Sequence, residues 1–345
     1  MDIDEIRGAF NAAGLERLAD HVERLTSTSV RVETRKVRET SLLVGASKIG
    51  GQPDMPAGAS WPKRDGRPLG FLAQFNLSEV AAFDLGRVLP STGLLSFFYD
   101  FQAAPWGLKV EDRGGWRVLY ADSITTSMAR LDWPDSLPEW FRLPAQRPAF
   151  SLQLSFTAEP EWVLAQGQLT GDELAKYRDV VASLAHVALD SREGEDEEVG
   201  DEDENADEED VDLDAFECLA TQHKLLGHPT LVHYGRMPWE CESLAGKRAT
   251  PNFESLCFKP DSALDERVRE DIRQAFERWC LLFQLGNVSG LPFPKGYEDE
   301  DDPVWRLCEL CDLWARGGLM YFWIERDRLT RRDLSNVWLL GASQL

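Results

Sequence analysis

The side chains best placed to do chemistry come in two matched sets. Lys48, Gly51 and Pro53 stand in SKIGGQP at residues 47–53, and Lys224, Gly227 and Pro229 in HKLLGHP at residues 223–229. Each set is followed by an apolar run holding one glutamine, FLAQFNL around Gln74 and LLFQLGN around Gln284. Each run leads on to a glycine and an aromatic strand, GLLSFFYD from Gly93 and GLMYFWIE from Gly318. A glycine three residues after the lysine and a proline five after it suit a tight turn that needs φ > 0 and then a fixed φ. As structure, such a turn caps a sheet and the lysine covers it with its aliphatic stem. As function, Lys48 and Lys224 stand at the mouth of a groove and offer cations to an anionic or peptide ligand. Gln74 and Gln284 lie inside apolar strands, where an amide without partners costs about 1–3 kcal/mol. Bonding to main chain satisfies them, and so does a ligand; the residues favour main chain.

Other reactive side chains are less ordered. His223, His228 and His233 recur every five residues. That spacing points to opposite faces of a strand, or roughly 140° apart on a helix, so only a turn at Gly227-Pro229 could make them converge. Cys308 and Cys311 form one Cys-x-x-Cys in WRLCELCDLW. A structural zinc would need two more ligands, from Cys241, Cys257, Cys280 or the histidines. The segment reads instead as an amphipathic helix with core thiols. There is no Gly-x-Ser-x-Gly elbow, P-loop or Gly-x-Gly-x-x-Gly opening a helix, and carboxylates are too many to nominate a catalytic pair. Trp61, Trp106, Trp239 and Trp305 lie near proline or glycine in loops, where exposed aromatics mark recognition surfaces.

Three features repeated in one order imply duplication of a β-rich unit. The expected architecture is α+β, predominantly β, with two similar halves about a pseudo-twofold and peripheral helices. Residues 1–29 are N-terminal helices, 30–160 the first repeat, 161–189 a connecting helix, 190–214 an acidic insert and 215–345 the second repeat. Residues 30–38 and 150–156 alternate as half-buried strands do, and 71–77 and 94–99 are buried strands. Residues 41–45 read as another strand, 108–111 and 116–121 as a hairpin, 264–280 as an amphipathic helix, and 336–340 as a terminal strand.

A chain of 345 residues with 43% hydrophobic content and 12 Trp has material for a substantial core. No apolar run approaches the roughly 20 residues that span a bilayer. The N-terminus lacks the basic-then-apolar order of a secretory leader. All six cysteines lie from residue 218 onward, which suits reduced thiols in a bacterial-type cytoplasm better than a disulfide framework. Of the net charge of −23, residues 190–214 carry −15, from 16 acidic residues against one arginine, so the rest carries only −8. Such a tract cannot offset its ordering entropy and is expected to be disordered. It argues against nucleic acid as the main ligand. Deleting it should leave the melting temperature unchanged; a marked drop would make it part of the fold.

Two blocks carry a resemblance: SKIGGQPDMPAG through GLLSFFYD at residues 47–100, and WARGGLMYFWIERDRLTRRDLSNVWLL at residues 314–340. With HKLLGHP, they resemble the YwqG-like bacterial family of unknown function. The resemblance implies an internally duplicated, mostly β, α+β fold and no settled activity. Members of such families occur among toxin-neutralising and defence-associated proteins. Ala315-Arg316-Gly317 stand where the family often has Gly-Asp, so no role for that acidic position carries over. The reading is a cytoplasmic, non-enzymatic protein that binds a protein or peptide, without metal, cofactor, nucleic acid or membrane. Its site is a cleft between the halves, near Lys48, Trp61, Gln74, Lys224, His228, Trp239 and Gln284. The alternative is a hydrolase or metal-dependent enzyme with its site in the same cleft.

Overall fold

The computed structural model describes residues 3–124, 127–157, 159–164, 169–190, 223–230, 236–246, 263–286 and 318–342. His233, Trp305, Cys218, Cys257, Cys308, Cys311 and residues 191–214 lie outside the described residues.

Fourteen strands are described: β1 (Thr26–Lys36), β2 (Lys48–Ile49), β3 (Asp54–Pro56), β4 (Lys63–Arg64), β5 (Arg67–Pro68), β6 (Gly70–Asn76), β7 (Leu94–Tyr99), β8 (Trp116–Ala121), β9 (Met128–Arg130), β10 (Gln146–Phe156), β11 (His223–Leu225), β12 (Trp279–Leu285), β13 (Leu319–Glu325) and β14 (Trp338–Ala342). Ten of them form one sheet in the order β14-β13-β12-β11-β1-β10-β2-β6-β7-β8, with β3/β9 and β4/β5 as small ribbons. Every neighbouring pair is antiparallel. The long central pair β1/β10 runs in register from Thr26 opposite Phe156 to Lys36 opposite Gln146. In β1, Val30 and Val32 are buried while Arg31 between them is half-buried and Glu33 is exposed, as its alternation predicts. In β6, β7, β12 and β13 nearly every residue is buried, so both faces of the sheet are covered there and the runs are continuously apolar.

Several local features near the two ends of the sheet match. Lys48 pairs with Gln74 across β2/β6, and Lys224 pairs with Gln284 across β11/β12. The β6/β7 register slips between Phe71 and Ala73, and the β12/β13 register between Leu281 and Phe283. The carbonyls of the intervening residues, Leu72 and Leu282, accept from Gly50 N and Leu226 N, at 2.7 and 3.4 Å. Gly51 and Gly227 both take the positive φ that the turn requires, 72° and 73°. Phe75, Phe97, Phe283 and Phe322, from β6, β7, β12 and β13, meet at the core with centroid separations of 4.8–6.0 Å.

The two ends of the sheet nearly meet. Gly341 N in β14 donates to Trp106 O at 2.8 Å, and Trp338 Nε1 donates to Gly107 O at 2.9 Å. Trp116 in β8 donates its Nε1 proton to Val337 O at 2.8 Å, and its ring meets Trp338 edge-on at 5.0 Å. The segment around Pro105–Gly107 thus bridges edge strands that would otherwise offer unpaired backbone groups. This is why residues 108–111 are not a hairpin arm: their chain leaves the seam and turns once, as a 3₁₀ helix at Val110–Asp112.

Residues 41–45 form no strand. Glu39–Ser41 is a 3₁₀ turn, and the carbonyls of Leu42 and Leu43 accept from Arg130 Nη2 instead of a ladder. The predicted helix over 264–280 runs from Glu266 to Arg278, capped by Asp265, whose carboxylate accepts from Val268 N at 2.9 Å. It stops there because Trp279 begins β12, where both faces are apolar and buried. The N-terminal helices, Ile3–Ala12, Glu16–Ala19 and Val22–Leu25, pack with the helix Gly171–Asp190 around a separate small core centred on Phe10 and Tyr177. No helix among the described residues is long and apolar enough to cross a membrane.

Candidate functional site

Lys48 lies inside a closed ionic network. Its ammonium is wholly buried, 3.0 Å from Glu39 Oε1 and 3.2 Å from Asp54 Oδ2. Arg130 Nε lies 3.1 Å from Glu39 Oε1 and 2.9 Å from Asp54 Oδ1. Asp54 Oδ2 also accepts from Gly45 N and from Gln74 Nε2, and Gln74 Oε1 accepts from Asp54 N at 2.8 Å. Burial alone would raise the Asp54 carboxyl, but Arg130, Lys48 and the N–H donors outweigh it and hold it below the usual carboxylate range. Burial also lowers Lys48, while Asp54 and Glu39 hold its proton in place. Two cations face two anions, so this cluster pairs its own charges and braces the loop over β6.

Lys224 occupies the matching position without the matching partners. Its ammonium donates to His228 O at 3.3 Å, and no carboxylate pairs with it among the described residues. Thr230 stands where the first turn has Asp54; its N–H donates to Gln284 Oε1 at 2.8 Å, the same bond that Asp54 N makes to Gln74. Burial, with the Arg31 guanidinium opposite, pushes Lys224 down to about 7. His223 is buried with its Nδ1 accepting from Gly286 N at 3.0 Å, and burial pushes it down to about 4.

His228 opens onto a large cavity, about 430 Å³ in volume. That size matches a small-molecule or peptide-anchor site. Its walls come from the start of β1, the loop at residues 84–88, the turn at Leu226–Pro229, the start of β12 and the end of β13. Trp162, Trp279 and Trp323 line it, and the Nε1 of each is buried without a hydrogen-bond partner, as is His228 Nε2. A buried donor left unmade costs about 1–3 kcal/mol, so three indoles and an imidazole around one cavity are an unusual concentration. Burial, with Lys224 and Arg326 nearby, drives His228 down to about 4, so it is neutral at pH 7. On the rim, Val88 is 38% exposed, and Leu85, next in the chain to the lining residues Asp84 and Gly86, is 61% exposed.

Of the residues chosen from sequence, only His228 lines this cavity. Trp61 is buried and donates its Nε1 proton to Leu69 O at 2.7 Å, and Trp239 is buried in the main core. Trp106 packs on Gly341 at the seam, beside a much smaller cleft. The turns of Lys48 and Lys224 are thus two separate sites, one closed by its own carboxylates and one beside the cavity. Glu39, Asp54 and Arg130 escaped the sequence because nothing marks three charges among 97 ionisable lysines, arginines and acids. Trp279 and Trp323 were legible only as core residues, since an unmet N–H has no sequence signal.

For covalent chemistry the one buried thiol at the cavity is poorly suited. Burial pushes Cys280 up to about 11, and its Sγ donates to Ile324 O at 3.5 Å. Among the described residues no three His, Cys, Asp or Glu side chains converge as metal ligands. A family model described as a domain of unknown function (DUF1963) matches residues 47–340. No curated protein matches the chain.

Proposed function

The chain belongs to this domain family of unknown function, and from that premise we propose that it is a cytoplasmic binding protein of the YwqG-like kind. It recognises a protein or peptide at the cavity beside His228. The single observation that carries this reading is the cavity itself: open, about 430 Å³, with unmet hydrogen-bonding groups in its wall and exposed apolar side chains on its rim. A concave pocket lined largely by apolar and aromatic side chains with a few placed polar groups is the usual anatomy of a ligand site. We take the fold to descend from a duplicated β-rich unit, supported by the matched Lys–Gln pairings, the matched register slips and the matched turn glycines. On that view the cavity lies where the loop at residues 84–88 of the first copy meets the turn at Leu226–Pro229 of the second. A toxin-neutralising or defence-associated role is the biological setting that the family resemblance suggests.

The test uses the exposed rim, where substitution leaves the core untouched. Tagged full-length protein should retain a discrete partner from native lysate at low and at high salt. Leu85→Asp should abolish that capture while leaving the melting temperature within about 1 °C. Absence of any discrete partner, or capture indifferent to Leu85→Asp, would remove this reading.

A further inference from the structure

We propose that the cavity takes a carboxylate of the bound peptide, held by the indole N–H groups of Trp162, Trp279 and Trp323 and by the rim guanidiniums of Arg24 and Arg326. This deepens the recognition reading above and rests on it. An indole nitrogen is a donor only, so three unpartnered indoles ask for acceptors and for nothing else. His228, whose Nε2 is likewise buried without a partner, adds a fourth unmet group. Arg24 Nη2 donates to Val163 O at 2.6 Å and Arg326 Nε to Glu277 O at 3.1 Å, so each is spent on one carbonyl and neither forms an ion pair with a carboxylate among the described residues. Both arginines line the same cavity.

The electrostatics of the wall point the same way. The charges acting on His228 are Lys224 and Arg326, both cationic, and Lys224 lacks the carboxylates that Lys48 has. In formal charge the lining carboxylates Asp84, Glu159 and Glu277 balance the lining arginines Arg24, Arg273 and Arg326, but none of the three carboxylates is a free buried acceptor. Asp84 already accepts from Val88 N and Leu89 N, Glu159 is engaged, and Glu277 is exposed to solvent. An enclosure whose unmet wall groups include three indole donors is complementary to an anion bearing two acceptor oxygens. An acidic side chain and a free chain terminus share that chemistry.

The experiment uses the full chain labelled with ¹⁵N-tryptophan, its indole cross-peaks assigned through Trp162→Phe, Trp279→Phe and Trp323→Phe. The probes are acetylated, amidated Ala-Glu-Ala, Ala-Gln-Ala and Ala-Lys-Ala, and acetyl-Ala-Ala-Ala with a free carboxyl terminus. The three indole cross-peaks should move with the glutamate peptide, the free-terminus peptide or both, and not with the glutamine or lysine peptides. Whichever carboxylate moves them identifies the source. Arg326→Gln should weaken that binding roughly tenfold, the loss of one charge-assisted contact, and Arg326→Lys less. If the glutamine peptide binds as tightly as glutamate, or carboxylate peptides leave all three indoles unmoved, the assignment of a carboxylate is overturned. Should Leu85→Asp still abolish partner capture in that case, the recognition site survives and only its anchor chemistry falls.

Discussion

Lys224→Met is expected to stabilise the protein, and Lys48→Met to destabilise it, although both lysines occupy the same place in the same turn. The folded protein holds Lys224 near 7 against an ordinary value of 10.5, chiefly by burial. Below pH 7 both the folded and unfolded states carry the proton, and the folded state bears the full cost of enclosing an unpaired ammonium, on the order of 4 kcal/mol. Between pH 7 and about 10.5 the unfolded state binds a proton that the folded state releases, so stability rises with pH. Methionine keeps the volume and removes the charge, giving up about 1 kcal/mol for the bond to His228 O. The gain should therefore be about 2–3 kcal/mol at pH 6 and shrink to nothing by pH 10.

Lys48→Met leaves Arg130 alone between Glu39 and Asp54, an excess negative charge in a buried cluster, and should cost about 3–5 kcal/mol at pH 7. Urea unfolding of both variants at pH 6, 8 and 10 decides the matter. Equal signs for the two substitutions, or a Lys224→Met effect that does not vary with pH, would mean that the two turns are energetically alike and that Lys224 has a counter-charge after all.

This contrast also shows where reading the chain succeeds and where it stops. The positive φ at Gly51 and Gly227 and the main-chain bonds of Gln74 and Gln284 follow from residue type and spacing, because a left-handed turn needs glycine and a buried amide needs partners. The difference between the lysines does not follow, because it depends on Glu39 and Arg130, which arrive from 9 and 82 positions away along the chain with no periodicity to announce them. Trp61 and Trp239 sit among prolines and glycines, which signal where backbone turns and not where a side chain points; both rings fold back into the core. The helix expected over 264–280 overshoots the observed one by two residues at each end, at its C-terminal end because Trp279 and Cys280 satisfy a helical apolar stripe as well as a buried strand. The cavity was invisible for a simpler reason: its wall comes from residues near 26, 86, 162, 228, 279 and 323, which only the closed sheet brings together.

That closure rests on Gly107, and Gly107→Ala should cost about 3–4 kcal/mol. The residue takes φ of 74°, and a Cβ placed there would lie 1.7 Å from Leu339 O and 2.8 Å from Leu339 C. The left-handed conformation alone costs an alanine about 1–2 kcal/mol. The obstructing atoms are backbone of β14, which cannot rotate aside, so the segment must lift away. Lifting it breaks the bonds from Gly341 N to Trp106 O and from Trp338 Nε1 to Gly107 O, each contributing about 1 kcal/mol. Gly114→Ala is the control: φ is 92°, but nothing lies within 4 Å of its Cβ, so only the conformational cost of about 1–2 kcal/mol remains. Hydrogen exchange at Gly341 N–H should quicken in Gly107→Ala and stay slow in Gly114→Ala, because only the first variant opens the seam. An alanine at 107 no costlier than one at 114, with Gly341 still protected, would show that the edges of the sheet hold together without this contact.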